Sequence, residues 1–157
     1  MATVEHIHIT DGPGRPMQAV QSVRALAGRG LEGDRYAAQG GRWSDTPGTG
    51  RDLTLIEAEA IEDLEREHGI ALSPGESRRN VTTRGIRLND LVGVRFQIGP
   101  VLCHGERLAE PCEYMQELVG KPVLKPLVHR AGLRATILGD GLISVGDEIR
   151  AEAPVGA

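Results

Sequence analysis

The chain has 157 residues, of which 39% are apolar and 25% charged, and its formal net charge is −4. This length is sufficient for one domain that buries its own core. The negative charge and the low aromatic content, 3% of residues, argue against nucleic-acid binding. No apolar run approaches the roughly 20 residues of a membrane helix, and the N-terminus lacks a signal-like apolar segment, so we expect a cytoplasmic protein.

Short segments rich in Val, Ile and Thr, separated by Gly and Pro, predict a mostly β structure. In chain order the predicted strands are 3–10, 19–27, 52–56, 94–98, 101–106, 133–138, 142–145 and 149–151. Two helices are predicted at 57–68 and 112–119, each followed by a glycine that can end it. Many strands, few helices and no regular βαβ alternation predict an α+β fold, predominantly β, around a curved sheet or barrel.

The chain pattern predicts a single domain over 1–157, with a core at about 4–149. The glycine-rich stretch 40–50 predicts a mobile loop, and 152–157 a flexible tail. Residues 28–33 match the dinucleotide-binding pattern G-x-G-x-x-G, but no amphipathic helix follows them, so we reject that interpretation. These glycines more simply allow the chain to turn sharply.

Two cysteines are too few for a disulfide framework, and their spacing matches no standard zinc motif. Cys112 follows a proline and opens the second predicted helix, where the helix dipole and unpaired backbone N–H groups favour a thiolate. Such a thiolate can be a nucleophile, a persulfide carrier or a soft-metal ligand; the alternative is a buried cysteine that only packs. Cys103 lies in a strand pattern, which indicates an inert core thiol.

Several other polar side chains lie in extended segments. Arg78, Arg79 and Asn80 precede a Val-Thr-Thr run, and Arg84 follows it. Guanidinium forks and amide edges arranged in this way can bind an anion or a polar heterocycle, and the alternative is a solvated strand edge. The basic stretch 129–134 leaves the same two interpretations open.

His6 and His8 lie on one face of the first predicted strand, a spacing that can begin a metal site. No third ligand is evident near them in the sequence. We therefore interpret both histidines as ordinary strand residues, packed or solvent-exposed.

Several motifs occur in the order found in one known family. They are Gly-Asp-Arg at 33–35, Arg-Arg-Asn at 78–80, Glu-Pro-Cys at 110–112 and His-Arg-Ala-Gly-Leu-Arg at 129–134. In this combination the chain resembles a MOSC domain, the module named for the C-terminal domain of molybdenum-cofactor sulfurase. The resemblance implies a MOSC-type β-barrel with a few short helices, and a role in molybdenum-cofactor or sulfur-transfer chemistry.

The resemblance also implies roles for individual residues. The family's Pro-Cys cysteine, thought to carry a persulfide or to coordinate molybdenum, corresponds to Cys112, which becomes the candidate catalytic residue and metal ligand. Arg35, Arg79 and Asn80 correspond to residues expected to hold the pterin and phosphate of a molybdenum cofactor (molybdopterin). We add Arg84 and Arg130, from the neighbouring motifs, to this cofactor-binding set.

The sequence departs from the family pattern at two motifs. Tyr36 follows Gly-Asp-Arg where many members carry histidine, and Glu110 precedes Pro-Cys where some carry arginine. A carboxylate this close to Cys112 opposes a thiolate unless a cation such as Arg107 offsets it. No lysine pattern for binding PLP is visible, so a desulfurase would be a separate partner.

Three functions are open on this basis, and they differ in whether the chain is an enzyme. The first is a molybdenum-cofactor-binding protein that reduces N-hydroxylated small molecules with electrons from a separate electron-transfer partner. The second is a sulfur carrier that accepts a persulfide on Cys112 from a PLP-dependent cysteine desulfurase. The third is a binding module without chemistry, which is expected if Cys112 is buried. None of them involves a nucleic acid or a membrane.

Overall fold

The computed structural model of the protein describes residues 1–35, 37 and 50–152. The strands are β1 Thr3–Ile9, β2 Gln18–Val20, β3 Ser22–Leu26, β4 Gly30–Leu31, β5 Leu53–Glu57, β6 Val81–Arg84, β7 Arg95–Ile98, β8 Val101–Leu108, β9 Leu133–Ile137, β10 Gly141–Ser144 and β11 Ile149–Ala151. The helices are α1 Ala58–His68 and α2 Glu113–Val119, and two 3-10 turns are Gly75–Ser77 and Leu88–Leu91. Neither helix in these ranges has the length and apolarity required to cross a bilayer.

The described strands form two sheets. Eight of them pair in the order β11-β7-β8-β9-β5-β6-β1-β2, and three pair in the order β10-β3-β4. Strands β5 and β6 run parallel, with Leu55 opposite Val81, while β6 and β1 run antiparallel. The large sheet curls into an open half-barrel, which confirms the predominantly β fold with a few short helices that the sequence predicts.

Irregular pairing accompanies the curl of the large sheet. The register shifts between Val4 and His6 in β1, and between Gly105 and Arg107 in β8. Because a bulge bends its strand and increases the local twist, such shifts help a long sheet to close around a core. The shift in β8 lies just before the segment that leads to Cys112.

The main core joins both sheets. Val23 and Ile143 of the small sheet pack in one cluster with Leu55, Val81 and Phe96 of the large sheet, and all five are almost inaccessible to solvent. Full burial of an apolar side chain of this size contributes about 1.5–3 kcal/mol. This shared cluster therefore holds the two sheets together.

A second apolar cluster attaches the helices to the sheet. Ile61 and Leu64 lie three residues apart on one face of α1, and they pack with Met115 of α2 and with Val123 and Leu127. The helical repeat places residues three apart on the same side, which explains why these two become buried. This cluster fixes α2, and with it the position of Cys112.

The prediction of one strand over 19–27 is wrong. The chain changes sheets at Gln21, because β2 pairs with β1 whereas β3 pairs with β10. The apolar pattern indicates which residues are buried but not which strand they pair with. The change of sheet at Gln21 could therefore not be predicted from the sequence. Residues 32–35 after β4 form turns and not the start of a helix.

The segment 81–84 is an interior strand, which corrects the interpretation of a solvated strand edge. It forms β6 between β5 and β1, and Val81, Thr82 and Thr83 are completely buried. The predicted mobile loop 40–50 and the predicted tail 152–157 lie outside the described residues, apart from their end residues at 50 and 152.

Candidate functional site

Cys112 begins α2, as the sequence predicts. It is the N-cap residue, and its sulfur accepts a hydrogen bond from the backbone N–H of Met115 at 3.5 Å. The Cys112 side chain is exposed, whereas Cys103 in β8 is fully buried. Burial raises the pKa of the Cys103 thiol to about 12, and the charge of Asp52 adds to the shift. Cys112 is therefore the cysteine that a solute can reach.

Cys112 lines a cavity of about 60 Å³, named here the thiol cavity. Its other described lining residues are Pro13, Gly14, Arg35, Arg78, Arg79, Glu110, Tyr114, Met115, Leu118 and Arg134. Four of these side chains carry a guanidinium group and one a carboxylate, although the whole chain has a net charge of −4. Guanidinium groups bind oxyanions through paired hydrogen bonds, so the cavity suits a small anion beside a thiol.

Arg79 is oriented in this cavity by two backbone carbonyl groups. Its Nε donates to the oxygen of Ala131 at 2.8 Å, and its Nη2 donates to the oxygen of Ala109 at 2.7 Å. The backbone N–H of Ala109 in turn donates to the oxygen of Gly132 at 2.8 Å, which ties the two carbonyl-bearing segments together. A buried guanidinium held in this way loses little further rotamer entropy when a ligand binds.

Arg35 is placed by the aspartate that precedes it. Asp34 is fully buried, accepts the backbone N–H of Thr10 at 3.0 Å and lies 3.4 Å from Nη1 of Arg35. The Arg35 guanidinium also contacts the sulfur of Met17 at 3.6 Å and the carbonyl oxygen of Arg78 at 3.5 Å. In the Gly-Asp-Arg motif, the aspartate therefore anchors the loop and the arginine lines the thiol cavity.

Arg78 adopts a strained backbone conformation. It follows the 3-10 turn Gly75–Ser77 in the left-handed region, with φ 66°, and its side chain donates to the carbonyl oxygen of Arg15. Among the described non-glycine residues, positive φ occurs at Arg78 and His129. This conformation costs a residue with a Cβ about 1–2 kcal/mol, and such strain concentrates at functional sites. Arg78 lines the thiol cavity, and His129 contacts a residue that lines it.

Glu110 provides the carboxylate of the thiol cavity, and His129 holds both of its oxygens. The backbone N–H of His129 lies 2.6 Å from Oε1, and the ring Nδ1 lies 2.5 Å from Oε2. The carbonyl oxygen of His129 accepts from Nδ2 of Asn89 at 3.0 Å, which supports this clamp. Arg107, which the sequence offered as one cation that could offset Glu110, is not among the described residues that line the cavity; four other arginines line it together with Glu110.

Asn80 lies outside the thiol cavity and connects three strands. Its Oδ1 accepts from the backbone N–H and from the hydroxyl of Thr54, both at 3.1 Å. Its Nδ2 donates to the carbonyl oxygen of His8 at 3.1 Å, and only 1% of the residue is exposed. The side-chain amide that the resemblance assigned to a pterin edge is thus engaged by β5 and β1.

Arg84 and Arg130 form ion pairs away from the thiol cavity. Arg84, at the end of β6, pairs with Glu5 at 2.6 Å and with Glu62 at 2.8 Å. Arg130 pairs with Asp63 at 3.0 Å and lines a separate small cavity beside α1. Neither side chain is among the lining residues of the thiol cavity.

A larger cleft of about 600 Å³, named here the histidine cleft, adjoins the thiol cavity. Gly14, Arg78 and Leu118 line both spaces. His6 and His8 lie in the wall of the cleft with ring centroids 6.2 Å apart, and burial, with a smaller effect of His6, lowers the pKa of His8. Among the residues that the structure describes, no group of three His, Cys, Asp or Glu is arranged to hold a metal.

The structure brings together Cys112, Arg35 and Arg79 of the residues predicted for the site. It adds Arg78 and Arg134, which the sequence analysis did not assign to the cofactor. The signal that could have indicated Arg134 is the alternation in β9, where its two neighbours are buried and it lies on the opposite face. The site is therefore more cationic than the motifs alone suggested.

Comparison with known proteins identifies the family. The sequence matches the MOSC domain family over residues 38–150, well over half of the chain. The chain belongs to the MOSC domain family. No curated protein sequence matches it. The match includes Arg79 and Cys112, whereas Arg35 lies just before the matched residues.

Solved structures share the fold of this MOSC domain. The YuaD protein of Bacillus subtilis superimposes with a TM-score of 0.79 at 18% identity, covering 98% of this chain and 97% of that one. YiiM from Geobacillus stearothermophilus gives 0.73 at 15% identity, covering 98% and 76%. YiiM from Escherichia coli gives 0.70 at 17% identity, covering 99% and 72%. At such identities the likeness shows the fold alone, and it confirms the MOSC fold that the motifs implied.

Proposed function

We propose that this MOSC domain binds a molybdenum cofactor of the molybdopterin type in the thiol cavity. Cys112 would supply a thiolate to the metal, and the cavity arginines would bind the cofactor's phosphate. The observation that carries the proposal is an exposed cysteine in a cavity lined by four guanidinium groups. A thiolate is a ligand for soft metals, and guanidinium forks are suited to phosphate.

The donor groups of the cavity fit the two chemically distinct parts of such a cofactor. Arg35 and Arg79 are buried and oriented by protein atoms, so either can bind phosphate without a large loss of side-chain entropy. Cys112 is not buried by its helix and remains open to a metal. At about 60 Å³ the thiol cavity accommodates a small group such as a phosphate or a metal centre, so the rest of the cofactor would extend beyond it.

The protein's own residues in this proposal bind and orient. Arg79, fixed by two carbonyl groups, sets the position of the anion, and Glu110, clamped by His129, presents a fixed acceptor beside the thiol. The bound cofactor would supply two-electron redox chemistry, and the reaction expected from the resemblance is reduction of N-hydroxylated or N-oxide compounds. Electrons would come from a separate protein partner, which we place with this protein in the cytoplasm.

Metal analysis of protein produced in a molybdopterin-competent host tests this proposal. We expect molybdenum to copurify with the wild-type chain and with Cys103→Ser, and to be lost from Cys112→Ser. Cys103 is a matched control because it is the buried cysteine outside the cavity. Well-folded wild-type protein without molybdenum, or equal metal content in both variants, would contradict the proposal.

The exposure of the Cys112 sulfur supports a second candidate function, that of a persulfide carrier. A PLP-dependent cysteine desulfurase carries a persulfide, and the Cys112 thiolate would attack its terminal sulfur. The sulfur–sulfur bond of the donor would break, the donor cysteine would leave as a thiolate, and Cys112 would hold the new persulfide, with no net oxidation. An exposed thiol is needed for this transfer because two protein sulfurs must meet, and Cys112 meets that requirement.

Intact mass spectrometry after incubation with a desulfurase and cysteine tests the carrier function. The expected result is a gain of one sulfur atom in the wild-type chain and in Cys103→Ala. The same treatment should leave Cys112→Ala unchanged. No gain on a wild-type thiol that still reacts with iodoacetamide would exclude Cys112 as a sulfur acceptor.

A further inference from the structure

The histidine cleft has the dimensions of a small-molecule site. Its volume of about 600 Å³ lies within the range of roughly 300–1,000 Å³ that is typical of ligand pockets. The cleft shares Gly14, Arg78 and Leu118 with the lining of the thiol cavity. A molecule bound in the cleft would therefore lie beside the thiol cavity.

One buried polar side chain in the cleft wall has a ring nitrogen without a hydrogen-bond partner among the described residues. His8 is 8% exposed, and its Nδ1 is buried with no hydrogen-bond partner among the described residues. Unpaired buried N–H groups are rarer than unpaired acceptors, so we place the ring proton on Nε2. Burial lowers the pKa of His8, which keeps the ring neutral with a single N–H donor.

The Nε2 edge of His8 faces a position without a side chain. A Cβ at Gly75 would lie 3.0 Å from Cδ2 and 3.1 Å from Nε2 of the His8 ring. These distances are shorter than ordinary contacts, so any larger residue would press on this edge of the ring. Glycine at position 75 therefore keeps a side chain away from the donor edge of His8, and both residues line the cleft.

The charged groups of the cleft wall favour an anion. The carboxylate of Glu76 accepts from the backbone N–H of Ser73 at 2.9 Å and from Nζ of Lys121 at 3.0 Å. Its negative charge is thus compensated within the protein. Arg78 adds a guanidinium on the strained residue that both spaces share.

We propose that the histidine cleft binds a small organic acid. The acid's carboxylate would accept hydrogen bonds from His8 and Arg78, and its apolar body would lie against the apolar part of the lining. That part contains Pro16, Met17 and Leu118. The site uses none of the sulfur or metal chemistry of Cys112, and it would hold an organic molecule beside the thiol cavity.

Titration of the wild-type protein with sodium benzoate, monitored by the ring signals of its histidines in NMR spectra, tests this inference. We expect a saturable shift of the His8 signals and none for His68, which is exposed on α1. Benzyl alcohol has a similar apolar body without the charge. It should bind about tenfold more weakly, because it lacks a charged acceptor.

Three variants locate the binding. His8→Phe should weaken benzoate binding about tenfold. Gly75→Ala should have the same effect, because its Cβ covers the Nε2 edge, and it serves as the test if His8→Phe does not fold. Cys112→Ser should keep wild-type affinity for benzoate, so this result is separable from the molybdenum and persulfide tests. No saturable shift, equal binding of benzyl alcohol, or loss of binding in Cys112→Ser would overturn the proposal.

Discussion

Cys112 and Cys103 differ in accessibility, and this difference predicts their reactivity. Iodoacetamide should modify one thiol in the native chain, at Cys112. Cys103 should react only after unfolding, because its thiol is buried and its pKa is raised to about 12. Peptide mapping of the alkylated protein measures this directly. Cys112→Ser should have no reactive thiol in the native state, and rapid labelling of Cys103 in folded protein would contradict the structure.

Asn80 is predicted to stabilise the fold without binding the ligand. Asn80→Ala removes three side-chain hydrogen bonds to buried groups of Thr54 and His8, so we expect a loss of roughly 3 kcal/mol in the free energy of unfolding. Urea denaturation measures this loss. The alkylation rate of Cys112 in the folded variant should match the wild type. A large change in that rate with unaltered stability would instead place Asn80 at the cavity.

The sequence identified the chemically unusual residues but not the direction of each side chain. Arg79 and Asn80 are adjacent and both buried, yet Arg79 lines the thiol cavity while Asn80 bonds to Thr54 and His8. A motif of three polar residues cannot reveal this separation, because it depends on which distant segments pack around each side chain.

Gly132 and Gly120 both have positive φ, yet substitution should affect them very differently. A Cβ at Gly132 would lie 1.8 Å from the carbonyl oxygen of Leu55, whereas a Cβ at Gly120 meets nothing within 4 Å. Gly120→Ala should cost about 1 kcal/mol from backbone strain alone. Gly132→Ala must also separate β5 from the segment that orients Arg79, so we expect a loss above about 3 kcal/mol. Urea denaturation of both variants distinguishes these effects, and equal losses would contradict the packing described here.

His8 in β1 makes the stability of the folded protein depend on pH. Its pKa in the folded protein is lowered from 6.5, first by burial and then by His6, so the unfolded chain binds the proton more readily. Stability is therefore complete above pH 6.5 and falls as the pH decreases from there towards the folded pKa. His8→Gln should show a shallower fall than the wild type in urea denaturation across this range. His68→Gln, which changes an exposed histidine, should retain the wild-type dependence of stability on pH. An equally steep loss of stability in His8→Gln would show that other groups cause the pH dependence.

Elements were predicted well where one pattern continues and poorly where the chain changes partners. The α1 prediction is confirmed to within one residue, because its apolar spacing and the following glycine are both local signals. The strand predicted over 19–27 is two strands, since the change of sheet at Gln21 depends on the distant strands β1 and β10. Long-range pairing of this kind cannot be derived from the local pattern.

The whole fold is what assembles the thiol cavity. Arg35, Arg79, Cys112 and Arg134 come from four separate segments, and the curled sheet together with α2 places them around one space. The order of motifs in the sequence indicated that these segments belong to one family pattern. It did not show that Arg84 and Arg130 lie outside the thiol cavity. That the chain is a single domain over its full length stays a prediction.

The central claim is that the Cys112 thiol and the arginine cluster share one ligand site. The most direct measurement is the alkylation rate of Cys112 by iodoacetamide with and without inorganic phosphate, at matched ionic strength. Phosphate should slow the reaction several-fold in the wild type and in Arg84→Met, whose side chain lies outside the cavity, and should slow it less in Arg134→Met, which loses one of the four cavity guanidinium groups. An unchanged rate in folded wild-type protein, or equal protection in Arg134→Met, would contradict the claim.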